Sequence, residues 1–385
     1  MGLNIAFFTY LCPCFGFDLS ATKMILDSIS ILNFKNICDE RIELSAGINC
    51  FVGDNGAGKT NILDAAHYLS LARSMHTISD RQSLRHGEDG FMLDGTFRHD
   101  DDRHEQVLCS YTTRGGKVLK RNGKEYDKLS DHVGLCPIVV VSPADTMLIS
   151  DSAEERRRYF NRLISQLDRG YMSALIRYNT TLAERNKLLK TSPGEEMLLI
   201  YDAMLDSTAA TIYRRRQEVI DQMLPLVQQY YAELSDGRES VGMEYRSELS
   251  ERPLSELLLA SRQRDFVNEH TTCGIHRDDM ILTIDGYALR KFGSQGQQKS
   301  FLVALKLAEY TIMASHLNEK PILLLDDLFD KLDIRRVAHL LRLVGGDIFG
   351  QILITDCNKL RLQRTLDEAG AQYQLFNIAE GRVIR

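Results

Sequence analysis

Short runs of apolar residues recur near both ends of the chain, and glycine or polar residues follow each of them. Ile48–Val52 leads directly into a glycine-containing segment, and Val139–Val141 ends at Ser142-Pro143. Apolar runs this short and this continuous are typical of strands that are buried on both faces of a sheet. Three similar runs follow in the second half of the chain: Leu323–Leu325, Ile352–Ile354 and Leu375–Ile378.

Segments with helical spacing alternate with these strands. Asn61–Ala72 has its apolar residues on one helical face, and a longer helix is predicted directly after Ser294. The apolar stripe of that second helix consists of Phe301, Leu302, Leu305, Ala308, Ile312 and Met313. Strands that alternate with helices in this way predict an α/β fold with a parallel sheet.

The middle of the chain has a different pattern, with many helix-forming residues and few strand-like runs between residues 151 and 261. Apolar residues recur there at helical spacing, at Met197, Leu198, Tyr201, Leu205 and Ala209. We therefore predict a helical arm inserted into an α/β head. The predicted limits are 24–150 for an N-terminal lobe, 151–261 for the arm and 262–385 for a C-terminal lobe.

Two local features complete the pattern. Asn122-Gly123 lies between short alternating stretches and is a strong signal for a hairpin turn. The first 23 residues include an apolar, aromatic stretch, Ile5–Phe17, which no basic residue precedes and Pro13 interrupts. This stretch is too short to span a bilayer. We interpret residues 1–23 as a disordered tail or a wrongly assigned start, and expect the first strand from Met24.

Composition narrows the class of protein. Of the 385 residues, 44% are apolar and 26% are charged, which is usual for a globular protein. The net charge of −6 excludes a protein that coats nucleic acid through overall positive charge, so any DNA contact must come from local patches. None of the eight cysteines forms a CxxC pair or a zinc-ligand pattern. Such dispersed thiols indicate a reducing compartment, and we expect a cytoplasmic protein without a membrane partner.

The segment after the first buried strand carries the most specific motif of the chain. It consists of Gly53, Asp54, Asn55, Gly56, Ala57, Gly58, Lys59, Thr60 and Asn61, and matches G-x4-G-K-[ST]. Glycines let the backbone curl around phosphate oxygens at the start of a helix. Lys59 is the expected ligand of the terminal phosphates, and the Thr60 hydroxyl is an expected Mg²⁺ ligand. The sequence therefore predicts an ATP·Mg²⁺ site.

A phosphate loop of this kind needs a carboxylate at the end of a nearby buried strand. The run that ends at Leu325 is followed by Asp326 and Asp327. We assign Asp326 as the second Mg²⁺ ligand and Asp327 as the residue that polarises the attacking water. The alternative for two such acids is capping of the next helix.

A third motif precedes the longer helix and consists of Ser294, Gln295, Gly296, Gln297 and Gln298. Ser294 with Gln297 has the pattern of a capping box, which alone can explain both residues. The segment also resembles the signature motif of ABC ATPases, which contacts the γ-phosphate bound by the opposite subunit. The resemblance implies that these five residues act on the partner chain's nucleotide.

From Met24 to its C-terminus the sequence resembles the RecF family of bacterial recombination-mediator ATPases. The matching segments are Asn33-Phe34-Lys35-Asn36, Gly53 to Asn61, Ser142-Pro143-Ala144-Asp145, Glu155-Arg156-Arg157-Arg158, His276-Arg277-Asp278-Asp279, Gly293 to Gln298, Asp326-Asp327 and Leu332-Asp333. The resemblance implies an ABC-type P-loop ATPase head, similar to that of SMC proteins, with a helical insertion. It also implies ATP-dependent dimerisation, binding to gapped or junction DNA, and recombinase loading with a RecR-type partner.

The sequence departs from the family pattern at several positions. Lys35 stands where an arginine usually lies near the phosphates, and Ala144 replaces a usual glutamate. We find no clear Q-loop glutamine, and Thr355-Asp356-Cys357 occupies the place of the transporters' switch histidine. Asp327 has a shorter reach than the glutamate of transporters. We therefore expect slow hydrolysis that acts as a timer, and we retain Lys35 as a candidate nucleotide ligand.

Clusters of basic residues are the candidate DNA contacts. There are three such groups: Arg156, Arg157 and Arg158; Arg214–Arg216; and Lys120 and Arg121 within the predicted hairpin from Arg114 to Lys128. Residues 151–261 hold about as many acids as bases, so a solvated helical face is the alternative. His276-Arg277-Asp278-Asp279 suggests either part of a dimer interface or a structural ion-pair turn.

Three other functions deserve comparison. In the nucleotide-binding subunit of a membrane transporter, Thr60 and Ser294 would lie much closer in sequence. A small-molecule kinase would leave Ser294–Gln298 and Leu332-Asp333 without a role. A longer-armed SMC protein would need heptad repeats over several hundred residues, for which the chain has no room.

Overall fold

The computed structural model describes residues 21–191, 194–235, 237–327, 334–345 and 348–384. Its α-helices are α1 Lys59–Leu71, α2 Met147–Ser150, α3 Ala153–Leu167, α4 Arg169–Leu189, α5 Glu195–Ser235, α6 Leu254–Asn268, α7 Leu289–Phe292, α8 Gln295–Leu317, α9 Ile334–Val344 and α10 Lys359–Glu368. Its strands are β1 Thr22–Phe34, β2 Ile37–Glu43, β3 Ile48–Val52, β4 Gly90–His99, β5 His104–Thr112, β6 Gly116–Arg121, β7 Lys124–Glu125, β8 Ile138–Val141, β9 Val241–Arg246, β10 Asp279–Ile284, β11 Tyr287–Ala288, β12 Glu319–Lys320, β13 Ile322–Leu325, β14 Ile352–Asp356, β15 Tyr373–Ala379 and β16 Arg382–Ile384.

A six-stranded sheet forms the centre of the α/β head, with the strand order β16-β15-β3-β14-β13-β8. All neighbours in it are parallel except β16, which pairs antiparallel with β15. The five apolar runs of the sequence are β3, β8, β13, β14 and β15, so the predicted parallel sheet is confirmed. The carboxyl ends of β3, β14 and β13 meet at one edge, and this edge carries the candidate site.

Alternate residues of these strands point to opposite faces, as the twofold periodicity of a strand requires. Cys50, Leu323 and Ile354 pack in one core that includes the apolar stripe of α8. Phe51 and Leu324 pack in a second core that includes α1. Because helices cover both faces, the strands are apolar throughout and show no alternation in the sequence.

A second sheet has the order β12-β1-β4-β5-β6-β7, with β2 also paired to β1. The turn between β6 and β7 has Asn122 and Gly123 at φ of 50° and 79°, which confirms the predicted hairpin. The first strand begins at Thr22, two residues before the predicted start. Thr22 pairs with Glu319 and donates from its hydroxyl to the Asn318 carbonyl. Both partners are almost 300 positions away, so the sequence around Thr22 does not indicate them.

The middle of the chain contains the predicted helices α3, α4 and α5. α5 extends over 41 residues with Pro225 inside it. β9, at Val241–Arg246, also lies within the range assigned to the arm, yet it pairs with β10 of the C-terminal lobe. This three-stranded sheet crosses the proposed limit at residue 261, and the domain limits stay predictions. Within the described ranges, no helix is both long enough and apolar enough to cross a membrane.

Candidate nucleotide site

The glycine-rich segment forms the connection between β3 and α1. Gly56 and Gly58 have φ of 82° and 111°, in the left-handed region that glycine adopts without strain. Gly58 is also the residue directly before α1. The strand–loop–helix arrangement that the motif requires is therefore present.

Two parts of the chain that are distant in sequence support this loop. A Cβ atom on Gly58 would lie 2.8 and 2.9 Å from the side-chain amide atoms of Asn36, so any other residue would displace Asn36 and would also be strained at this φ. The Asn36 amide donates to the Gly56 carbonyl, at 3.3 Å. Gly381, in the turn between β15 and β16, donates its N–H to the Ala57 carbonyl at 2.7 Å. Sequence reasoning missed the supporting role of Asn36 and Gly381, although Asn36 belongs to one of the family segments.

Lys59 is buried, and its ammonium group binds the backbone of the loop. The Nζ atom donates to the carbonyl oxygens of Gly53 and Asp54, at 2.8 and 2.9 Å. The positive charge is thus held within the curl of the glycine-rich segment. A cation in this place, beside a helix N-terminus, suits an anionic ligand.

Thr60 and Asp326 lie together, as the motif requires. The Thr60 hydroxyl donates to Oδ1 of Asp326 at 2.8 Å, although 266 positions separate the two residues in sequence. The Thr355 hydroxyl donates to the same carboxylate oxygen, also at 2.8 Å, and accepts from the backbone N–H of Asp327 at 2.9 Å. Thr355 reaches both acids because β14 lies between β3 and β13. The two oxygen-bearing groups, Thr60 and Asp326, are of the kind that Mg²⁺ prefers.

Both acids follow β13 rather than belonging to it. Asp327 has φ of 49°, so the chain turns sharply there. Its carboxylate lies within 4.8 Å of the Asp356 carboxylate and the Cys357 thiol. Asp356 is neutralised by Nη2 of Arg361, at 2.9 and 3.2 Å from its two oxygens. Asp327 is therefore positioned beside Asp326, at the edge of the sheet where the phosphate loop lies.

Lys35 lies next to the site but forms an ion pair with α1. Its Nζ is 2.5 Å from Oδ2 of the fully buried Asp64. The Asp64 carboxylate also accepts from the Ser74 hydroxyl and the Met75 N–H, each at 2.7 Å. This arrangement fixes the residues around the loop. A direct contact between Lys35 and a phosphate stays a prediction.

The signature segment begins α8, with Ser294 as its N-cap. Oγ of Ser294 accepts from the Gln297 N–H at 3.2 Å, and the Gln297 side chain accepts from the Ser294 N–H at 2.6 Å, so the capping box is confirmed. The Gln297 amide donates to Glu239 at 2.8 Å. A Cβ atom on Gly296 would lie 2.6 Å from Nη1 of Arg336. The signature segment thus lies against Glu239 and Arg336, whereas the phosphate loop lies against Asn36 and Gly381.

The basic candidates for DNA contact are largely paired within the chain. Both ends of the Arg156 guanidinium bind Asp279, at 2.7 and 3.0 Å, and Arg121 forms a bidentate pair with Glu105. Arg157 donates to the Asp278 carbonyl at 2.7 Å. The exposed Arg158 pairs with the two acids of its own helix, Glu154 and Glu155. Lys120 lies half-buried on β6. Their role in DNA binding stays a prediction.

The segment His276–Asp279 forms ion pairs and hydrogen bonds within the chain, as expected of a structural turn. Asp278 is buried and accepts from Arg216 at 3.1 Å and from the Tyr245 hydroxyl at 2.5 Å. His276 lies 2.8 Å from the Tyr178 hydroxyl, and burial lowers the pKa of this histidine to about 4. Together with the Arg156–Asp279 pair, these contacts join α3, α4 and α5 to β10. Leu332-Asp333, the last family segment, lies outside the described residues.

Comparisons with known proteins agree with this geometry. The model of the RecF/RecN/SMC N-terminal domain matches residues 25–376. A protein named DNA replication and repair protein RecF from Bacteroides thetaiotaomicron is 43% identical over 360 residues, covering 93% of this chain and 98% of that protein. One of the same name from Porphyromonas gingivalis is 42% identical over 364 residues, covering 94% and 100% of the two chains.

Solved structures show the same relationship. The recombination mediator protein RecF-ATPrS in the RecFOR pathway superposes with a TM-score of 0.84 at 30% identity, covering 94% of this chain and 98% of that one. The Smc head domain of Pyrococcus furiosus, bound to the C-terminal domain of ScpA, has a TM-score of 0.56 at 17% identity and covers 94% and 96% of the chains. The second likeness shows the fold alone. Since the sequence relatives, the family model and the structural likeness agree over nearly the whole chain, this protein belongs to the RecF family of SMC-like ATPases.

Proposed function

We propose that this chain is an ATP-dependent DNA-binding protein of recombinational repair and replication-fork maintenance. Two chains dimerise with ATP on gapped DNA or on junctions between single and double strands, and hydrolysis separates them. A RecR-type mediator is the proposed partner in loading recombinase. The names of the relatives support this proposal, since they are called DNA replication and repair proteins and, in one case, a recombination mediator in the RecFOR pathway.

The hydrogen bond between Thr60 and Asp326 carries the nucleotide part of the proposal. These two residues would hold Mg²⁺, which would offset the negative charge of the phosphates. Lys59 is the proposed ligand of the terminal phosphates. Its ammonium group would donate to phosphate oxygens in place of the Gly53 and Asp54 carbonyls. Gly53 to Asn61 supply the backbone cradle, and the Asn36 and Gly381 contacts hold that cradle in shape.

The arrangement of the signature segment supports the proposed dimerisation. Ser294 to Gln298 begin α8, and their described contacts are with Glu239, Arg336 and the preceding turn rather than with the phosphate loop. If this segment acts on a nucleotide, a twofold pair of chains offers the natural arrangement. Each chain then supplies its loop to one site and its Ser294 to the other.

Hydrolysis is proposed to be slow. Asp327 is the proposed general base, and its carboxylate lies within 4.8 Å of the Asp356 carboxylate and the Cys357 thiol. An aspartate also reaches less far toward a water molecule than a glutamate. We expect a turnover number below the range of about 1–100 s⁻¹ that is usual for kinases.

Fluorescence anisotropy of a labelled gapped duplex, with and without ATP, tests the proposal. We expect ATP to tighten binding by the wild-type chain, and Ser294→Arg to abolish this gain while ATP binding persists. The arginine side chain would fill the space that the partner chain's phosphate needs, and it would add a positive charge at the proposed interface between the two chains.

Ser173→Arg is the matched control, because it adds the same charge at an exposed helical position in the middle of the chain. It should bind DNA with the same response to ATP as the wild type. DNA affinity that is indifferent to ATP, or equal losses in both variants, would refute the proposed ATP-controlled clamp.

A further inference from the structure

Two exposed aromatic rings lie in contact directly before the signature segment. Tyr287 is on the edge strand β11 and Phe292 ends α7, and they are 62% and 66% exposed. Their ring centroids are 5.3 Å apart, with the planes inclined at 52°. Every other phenylalanine and tyrosine in the described ranges is buried or half-buried. Exposed aromatic rings are costly in water, so a pair of them in contact indicates a binding surface.

Two cations lie between these rings in the sequence. Arg290 and Lys291 are exposed, and neither forms an ion pair within the part of the chain that the structure describes. Nearby acids are already occupied. Asp285 accepts from the backbone N–H and hydroxyl of Ser240, at 2.8 and 3.1 Å, and Glu239 accepts from two other side chains. The two positive charges therefore remain available to a ligand.

The surface is held rigidly against the start of α8. Leu289, between the two rings, is fully buried and anchors α7 in the core. The Gln298 amide donates to the carbonyls of Leu289 and Gly293, at 3.4 and 3.0 Å. A Cβ atom on Gly293 would lie 2.7 Å from the Leu289 carbonyl, so the turn that joins the surface to Ser294 is tight. A ligand bound here would be mechanically connected to the signature segment.

We propose that Tyr287, Arg290, Lys291 and Phe292, here named the aromatic platform, bind single-stranded DNA. The rings stack on unpaired bases, and the two cations contact the adjoining phosphates. This proposal rests on the proposed function, because it specifies which DNA surface the ATPase uses. Rings beside unpaired cations match the repeating unit of a single strand, which is one planar base and one phosphate. In a duplex the same base faces are covered by neighbouring pairs.

The chain contains no tryptophan, which permits a direct optical test. In the full chain, Tyr287→Trp places one reporter on the platform and keeps an aromatic ring there. We expect an oligothymidine of about 16 nucleotides, near the upper end of known single-strand site sizes, to quench the tryptophan emission saturably without ATP. A blunt duplex with the same number of phosphates should quench it far less.

Second substitutions in the reporter chain separate stacking from charge. Phe292→Leu keeps an apolar side chain but removes the ring, and should weaken single-strand binding by about 5- to 150-fold. Lys291→Ala should reduce the slope of log affinity against log salt by about 0.7. Val267→Ala, at an apolar position that is 84% exposed on α6, is the matched control and should change neither quantity.

The other occupant of such a surface would be a second copy of this chain. Tryptophan emission that is unchanged by the oligonucleotide but changes with ATP and protein concentration would indicate contact between two copies of the chain and would overturn the proposal. Equal quenching by duplex and single strand would also overturn it. Quenching without any ATP effect on DNA affinity would support the platform and refute only the ATP-controlled clamp. ATP-tightened DNA binding without quenching would do the reverse.

Discussion

At the scale of single residues, the centre of the site is one carboxylate oxygen that accepts two hydroxyl groups. Thr60 comes from the phosphate loop and Thr355 from β14, and both donate to Oδ1 of Asp326. The same Thr355 hydroxyl accepts from the Asp327 N–H, so it orients both acids of the site. Mutation of a group that holds a metal-binding carboxylate in this way typically costs about 10- to 100-fold in metal affinity or activity.

Thr355→Val tests this role, since it replaces the hydroxyl by a methyl group of similar size. We expect ATP hydrolysis to fall by about 10- to 100-fold, because the two acids lose their shared hydrogen-bond partner. Phosphate release and nucleotide binding should be measured on the same preparations. Thr208→Val is the control, since its hydroxyl donates to a helical carbonyl of the arm, at 3.0 Å. An unchanged rate for Thr355→Val would contradict the assignment.

The sequence predicted some of these contacts and missed others for physical reasons. Thr60 and Asp326 were predicted to meet, because phosphate and metal chemistry demands both in a recognisable motif. Thr355 was not, because a threonine at a strand end has no special spacing and gains its role only from strand order. Asn36 and Gly381 were missed in the same way, since they support the loop from distant parts of the chain.

At the scale of elements, a buried arginine joins three helices of the middle of the chain. Arg185 of α4 is fully buried and donates to Asp202 of α5 at 2.7 Å and to Asp265 of α6 at 2.8 Å. The Thr271 hydroxyl accepts a third bond from it, at 2.8 Å. Removing one member of such a buried group leaves charges without partners, which costs more than the loss of packing.

We predict that Arg185→Ala lowers the free energy of unfolding by about 3–5 kcal/mol, since the buried Asp265 loses its cation and Asp202 keeps only Arg262, at 3.4 Å. Urea denaturation followed by circular dichroism provides the measurement. Arg214→Ala, at a position 74% exposed on α5, should change stability by less than about 0.5 kcal/mol. A loss below about 1 kcal/mol for Arg185→Ala would show that Arg185 does not hold the three helices together.

Elements were predicted well where a continuous apolar run or a helical period dominates the pattern. The parallel strands and the helices after Gly58 and Ser294 appear where the apolar spacing placed them. β9 was not predicted, because Val241–Arg246 includes a glycine and only Val241 and Met243 of it are buried. Its partner β10 also begins 38 positions after residue 241, at Asp279. Such pairing depends on the tertiary fold rather than on local sequence.

At the scale of the whole molecule, the charge and the basic residues bear on how DNA is bound. The net charge is −6, and Arg156 and Arg121 are engaged in ion pairs within the chain. A single chain thus offers limited positive surface, and joining two chains would double whatever each supplies. The proposed clamp requires that each nucleotide site be completed by the partner chain.

A mixing experiment on ATP hydrolysis tests that requirement most directly. Lys59→Ala should lack a functional phosphate loop, and Ser294→Arg should lack a functional signature segment, so each alone should be inactive. If the sites are shared, equal mixing creates mixed pairs in which one of two sites has both wild-type residues. Phosphate release should then recover to about a quarter of the wild-type rate. A mixture as inactive as its two components would contradict the shared site and, with it, the ATP-dependent pairing proposed here.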